Sequence, residues 1–217
     1  MTLHQSIKRE IVKGVAVGTA PRSLEAIKHP HCAAAIWERE PLAAFQNWID
    51  GLSEYELPKA RIILRPGDVQ RAMTDLFDSY ALAACDARTM LIDDVAALAH
   101  IFSHLVDAPF LRLRLDVITT NACRKFHTDL LTARLICTYR GTGTQYGVSD
   151  LGAEPDHVLT TSTGSAIVLR GHLWPAATAP DILHRSPPIE GTGEARLVLI
   201  LDPVTDREDA MKEELLH

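Results

Sequence analysis

The stretch L-R-L-R-L-D-V-I, Leu111–Ile118, decides the fold. Leu111, Leu113, Leu115 and Val117 alternate with Arg112, Arg114, Asp116 and Ile118. A period of two is that of a strand with one face packed and the other partly wet. Strand candidates then follow one another: Ala133–Arg140, Ala166–Arg170 after Gly164, Ile182–Arg185, and Arg196–Asp202, which reads RLVLILD. Segments rich in Gly, Pro and Thr separate them, and no helical pattern intervenes. Parallel βαβ units are thereby excluded, and an antiparallel sandwich or jelly-roll barrel is the economical solution.

Upstream of Pro109 the period is helical. Pro41 suits a first turn, and Leu42, Phe45, Trp48, Ile49 and Leu52 share one face, with Gly51 near the end. Ala60–Leu64 is a brief apolar run closed by Pro66-Gly67, and Asp68 is placed to cap the next helix, whose stripe is Met73, Leu76, Phe77, Tyr80 and Ala84. A further helix carries Leu91, Val95, Leu98, Phe102 and Leu105. Residues up to Ala20 are a strand-like or loose lead-in, a helix is expected from Pro21 towards Trp37, and Asp206–His217 reads as a charged helical tail. The expectation is an α+β chain forming a single domain over 1–217: helices over 1–108 packed on an antiparallel core over 109–205, and a tail over 206–217.

Composition narrows the function. The 217 residues are 47% hydrophobic and 23% charged, as in a folded globular chain. A net charge of -6 and the lack of a long basic run speak against nucleic acid. No apolar stretch near the ~18 residues of a membrane span is read, nor a secretory core, so the expected location is the cytoplasm. Cys32, Cys85, Cys123 and Cys137 lie apart with no C-x-x-C pair, which fits reduced thiols.

His127 and Asp129 are one residue apart, so on a strand both side chains leave the same face and can meet one ion. His184, 57 residues on, can supply a third ligand, and two imidazoles with one carboxylate form a facial triad that leaves metal positions open. Arg196 follows at the head of the last strand candidate, where a guanidinium can grip a carboxylate. With 10 His and 28 acidic residues, about one His-x-acid triplet is expected by chance, so the triplet gains weight only from its β-rich setting and from the later His and Arg. The ordinary alternative is that His127 and Asp129 pair or cap a loop. Tyr139 and Arg140 are secondary candidates for a ligand carboxylate or carbonyl, though such residues are more often a core tyrosine and a solvated strand end.

Weaker signals surround these residues. Cys123, four residues before His127, would favour zinc if it joined the set. His29, His31 and Cys32 are better read as loop residues than as a second metal site. Gly141–Thr144 and Gly191–Gly193 are turns rather than phosphate loops, since neither leads into a helix. Arg124, Lys125 and Arg185 are placed to attract an acidic substrate, or to form a solvated rim. Ser165 lacks the glycines of a nucleophile elbow.

The segments CRKFHTD (Cys123–Asp129), ARLICTYRG (Ala133–Gly141) and LHRSPPIEGTGEARLVLILD (Leu183–Asp202) resemble an uncharacterised bacterial family known as a domain of unknown function. More distantly, the order H-x-D, H, R is similar to the iron and 2-oxoglutarate oxygenase superfamily, over the second half of the chain. That resemblance implies a cupin-like double-stranded β-helix. It also implies that His127, Asp129 and His184 hold Fe(II) as the catalytic centre, that Arg196 holds the distal carboxylate of 2-oxoglutarate, and that the substrate is a small molecule or peptide-like. The rival reading is a non-catalytic zinc-binding or metal-homeostasis protein on the same fold.

Overall fold

The computed structural model describes residues 12–149, 153–175 and 181–206. Ten strands run in chain order: β1 Val15–Gly18, β2 Ala34–Trp37, β3 Ala60–Leu64, β4 Phe110–Ile118, β5 Ala133–Arg140, β6 Gln145–Ser149, β7 Leu159–Thr160, β8 Ala166–Arg170, β9 Asp181–Arg185 and β10 Arg196–Val204. Three α-helices, α1 Ala43–Gly51, α2 Val69–Ser79 and α3 Asp86–Val106, lie among the first of them. Seven strands form one sheet in the order β1-β2-β8-β5-β10-β4-β3, and β7-β6-β9 form a second. Every pairing is antiparallel except that of β1 with β2.

The alternation read in Leu111–Ile118 is what separates the two faces of the large sheet. Leu111, Leu113 and Leu115 of β4 join Leu135, Cys137 and Tyr139 of β5 and Leu197, Leu199 and Leu201 of β10 in one core, against Leu91, Val95, Leu98 and Phe102 of α3. Each such leucine contributes about 1.5–3 kcal/mol of burial. The opposite face, with Ile136, Ile167, Leu169 and Val198, meets Tyr146 of β6 and Ile182 of β9 in a second core. Strands covered on both sides explain the near-continuous apolar run of RLVLILD. The partly wet face of β4 therefore looks between the two sheets.

α3 has the length and mean hydropathy, 1.3, of a membrane span, which corrects the expectation that no apolar stretch comes near that length. Its buried stripe instead packs on the large sheet. The helix ends at Asp107 in the left-handed region, φ 52.

Three expectations change. The segment from Pro21 towards Trp37 is a 3-10 helix, Pro21–Lys28, followed by strand β2. Asp68 closes a 3-10 turn, Pro66–Asp68, and its side chain makes no capping hydrogen bond to α2. The N-terminal half also contributes β1, β2 and β3 to the large sheet, because Ala34–Trp37 pairs with β8 and Ala60–Leu64 with β4. The turns at Gly141, Gly191 and Gly193 hold, each with φ near +80. The charged tail from residue 207 onward lies outside the described residues.

Candidate metal centre

Residues 119–132 link β4 to β5 without forming a strand, and within them His127 makes a single antiparallel bridge to His184 of β9. Each backbone N–H donates to the other's carbonyl, at 3.1 Å from His127 and 3.0 Å from His184. Their rings lie 4.5 Å apart at 45°. The expected strand at H-x-D is thus one bridge, yet the spacing still delivers both side chains to one point.

Asp129 reaches this point from a tightly laced loop. The N–H groups of Gly171, His172 and Leu173 donate to the carbonyls of Thr132, Asp129 and Leu131 at 2.9, 2.9 and 3.1 Å. A Cβ at Gly171 would lie 2.0 Å from the Leu131 carbonyl oxygen, so only glycine permits the approach. One carboxylate oxygen of Asp129 stands 3.2 Å from Nε2 of His184, and the other 3.7 Å from Nε2 of His127. One ligand atom from each of the three residues lies within 4.8 Å of the others.

The surroundings set the protonation. Nδ1–H of His127 donates to the Lys125 carbonyl at 2.9 Å, which leaves Nε2 directed at Asp129. The hydrogen bond with Asp129 raises the pKa of His127 against partial burial. Burial lowers that of His184, which is 4% exposed. Burial alone would raise Asp129, but the hydrogen bonds from both imidazoles and the charge of Arg134 hold it far below the carboxylate range.

Arg134 was not anticipated. Its Nη1 makes a short ion pair with Asp129, while Nε and Nη2 donate to the two oxygens of Asp202 at 2.6 and 2.9 Å. The available signal was parity: Arg134 and Asp202 are charged residues at inward positions of strands apolar on both faces.

His127 and His184 line a cavity of about 320 Å³ between the sheets, floored by Ile118, Ile136, Val198 and Ile200. Arg196 lines it and is 1% exposed. Among the described residues its guanidinium donates to neutral oxygens: Thr142 carbonyl at 2.6 Å, Ser186 Oγ at 3.2 Å and Thr138 Oγ1 at 3.4 Å. Burial pushes its pKa down to about 10. His127, His184 and Arg196 therefore line one cavity, with Asp129 against both imidazoles.

Tyr139 and Arg140 do not join them. Tyr139 has the parity of Leu135 and Cys137, faces the helices, and donates to Asp94 at 2.7 Å. Arg140, the last residue of β5, turns away to the Leu52 carbonyl at 2.6 Å. Cys123 lines the cavity, but its sulfur is not among the converging ligand atoms. Cys32 is buried and donates to the Ala34 carbonyl, while the carbonyls of His29 and Pro30 accept from Arg170, as the loop reading expects. Arg185 stacks on Phe126 at the cavity wall.

A family model described as a protein of unknown function (DUF1826) matches residues 18–202. No curated protein matches the chain. Among solved structures, dioxygenase for auxin oxidation 1 from Arabidopsis thaliana, in a binary complex with 2-oxoglutarate, has a TM-score of 0.54 at 7% identity, covering 91% of this chain and 94% of that one. The rice dioxygenase for auxin oxidation has a TM-score of 0.49 at 13% identity, covering 90% of this chain and 84% of that one. An oxidoreductase of the 2OG-Fe(II) oxygenase family from Burkholderia pseudomallei has 0.43 at 14%, covering 87% and 91%. The Arabidopsis match carries the fold: helices on an antiparallel double-stranded β-helix of the cupin and oxygenase type.

Proposed function

This chain belongs to the DUF1826 family, whose function is not established, and from that premise we propose that it is an Fe(II)- and 2-oxoglutarate-dependent oxygenase acting on a small molecule. One observation carries the reading. Two imidazoles and a carboxylate converge beside a cavity that also holds a buried arginine whose hydrogen bonds, among the described residues, go to neutral oxygens rather than to a carboxylate. The 2-oxoglutarate bound to the Arabidopsis protein of the same fold supports it.

The donor set fits ferrous iron, since nitrogen and oxygen ligands on one side leave positions for a chelating keto acid and for dioxygen. Iron with 2-oxoglutarate supplies, when bound, the oxidation of a substrate coupled to decarboxylation of the keto acid to succinate. Nε2 of His127, Nε2 of His184 and one oxygen of Asp129 would hold the metal, while Arg134 occupies the other Asp129 oxygen. The Lys125 carbonyl keeps His127 in the tautomer that ligation needs. Arg196 receives the distal carboxylate of the keto acid, where a charge-assisted pair replaces contacts to neutral oxygens. The apolar floor of Ile118, Ile136, Val198 and Ile200 keeps water away from the reacting face.

Anaerobic protein given ferrous iron should develop a visible charge-transfer band on addition of 2-oxoglutarate and release succinate on aeration. Arg196→Gln should weaken the dependence on 2-oxoglutarate by at least about tenfold. Protein that retains stoichiometric zinc, shows no band and forms no succinate would refute the oxygenase reading.

A further inference from the structure

The cavity is richer in positive charge than the keto acid requires. Lys59, Arg114, Arg134, Arg185 and Arg196 line it, whereas the carboxylates within or against it among the described residues are Asp116, Asp129, Asp202 and, beside Arg196, Glu194. The walls thus hold one more cation than carboxylates. A divalent metal raises the excess to three, and a dianionic keto acid lowers it to one.

The surplus is not spread evenly. Arg134 is committed to Asp129 and Asp202, and Arg185 to Gln145 and the face of Phe126. Arg114 is held loosely: Nη2 stands 3.4 Å from Asp202, which Arg134 already grips at both oxygens. Its Nε is buried and, among the described residues, makes no hydrogen bond. A buried guanidinium N–H without an acceptor is costly unless a ligand provides one. Arg114 also lies away from Arg196. On β10 Arg196 pairs with Ile118, whereas Ile200 pairs with Arg114, so four residues, about 13 Å, separate the two levels. Between them lies the apolar floor of Ile118, Ile136, Val198 and Ile200.

We propose that the primary substrate is a small carboxylic acid with an apolar body, whose anionic end docks on Arg114 with Lys59 beside it, separately from the Arg196 subsite. The assignment rests on the oxygenase reading for the role of Arg196. On the apolar floor the body of the acid lies alongside the metal ligands, and Arg114 acts as a specificity residue. Asp116, next to Lys59 and Arg114 on the wall, disfavours ligands with more negative charge than one carboxylate.

The test is calorimetric and needs no turnover. Full-length protein, loaded anaerobically with Fe(II), is titrated with N-oxalylglycine and then with 3-phenylpropionate or its neutral amide. The acid should bind at least about tenfold tighter than the amide. Arg114→Gln should abolish that preference and change N-oxalylglycine affinity by less than about twofold, while Arg196→Gln should do the reverse. The assignment is overturned if acid and amide bind alike, if neither binds, or if Arg114→Gln leaves the preference intact or weakens N-oxalylglycine instead. Should Arg114→Gln fail to fold, exposed Lys59→Gln carries the comparison: a preference reduced about threefold supports docking, and an unchanged one refutes it. An acid preference that depends on Arg114 in protein that does not bind N-oxalylglycine supports the docking site and refutes the oxygenase reading.

Discussion

His127 and His184 are fixed to each other by their main chains: the two N–H···O=C bonds of one antiparallel bridge set the spacing of the imidazoles. The rings are therefore pre-positioned before any ion arrives, and a side chain can be removed without removing the bridge. His184→Ala should keep the circular dichroism of the parent while metal per chain falls at least about tenfold. Elemental analysis of both proteins after equal dialysis checks this, and unchanged metal content would remove the triad from consideration.

Arg134 is the hinge of the charge network, holding Asp129 on one side and Asp202, 4% exposed at its side chain, on the other. Arg134→Ala leaves a buried carboxylate with only the long contact to Arg114, and a loss of about 3 kcal/mol in unfolding free energy is expected. Combining Arg134→Met with Asp202→Leu should recover part of the loss, because the Asp202 charge is removed together with that of Arg134 while Asp129 keeps both imidazoles. Urea denaturation of the parent, Arg134→Ala and the double variant measures both effects.

Asp116 gives a pH dependence of known sign. Burial raises its pKa above 3.8, although Arg114, Arg61 and Arg134 oppose the shift. A folded-state pKa above the unfolded one means that the ionised form destabilises the fold. Its favourable protonated contribution is fully present below 3.8 and lost as pH rises through the folded value. Asp116→Asn should accordingly raise Tm at pH 7 by about 1–3 °C, a small effect because the site is partly solvated. The advantage should shrink as pH falls towards 4, and a gain that persists there would contradict the assignment.

The thiols divide by burial. Cys85 and Cys123 are exposed, Cys32 and Cys137 are buried, and burial pushes Cys137 up to about 12. Ellman's reagent at pH 8 should titrate two of the four thiols in native protein and all four in denaturant. Rapid reaction of a third thiol in native protein would show that one of the two buried sites opens.

How far the fold could be read depended on how many residues carried each signal. Ala133–Arg140 and Ala166–Arg170 appear with the bounds expected of them, since apolar runs between turn residues mark their own ends. Val15–Gly18 lies in the lead-in expected to be strand-like or loose, whereas Ala34–Trp37 and Gln145–Ser149 were not expected as strands, because four or five residues leave no room for a period to repeat. Parity also explains the site. It placed Arg196 at the cavity wall, and it placed Tyr139 among the helices once the covered face of β5 was known.

The amino-acid order alone determined that a mainly helical half precedes a β-rich one, that the strands of the second half are antiparallel, and that His127, Asp129, His184 and Arg196 are the residues to watch. Those conclusions rest on periodicity and spacing, which are local. Only the tertiary structure decided that one backbone bridge joins residues 57 positions apart, that Arg134 shares itself between Asp129 and Asp202, and that Arg114 is left with an unused N–H. These depend on strand register and on which sheet face is enclosed, and both are settled by packing between segments distant in the chain rather than by any stretch of residues within it.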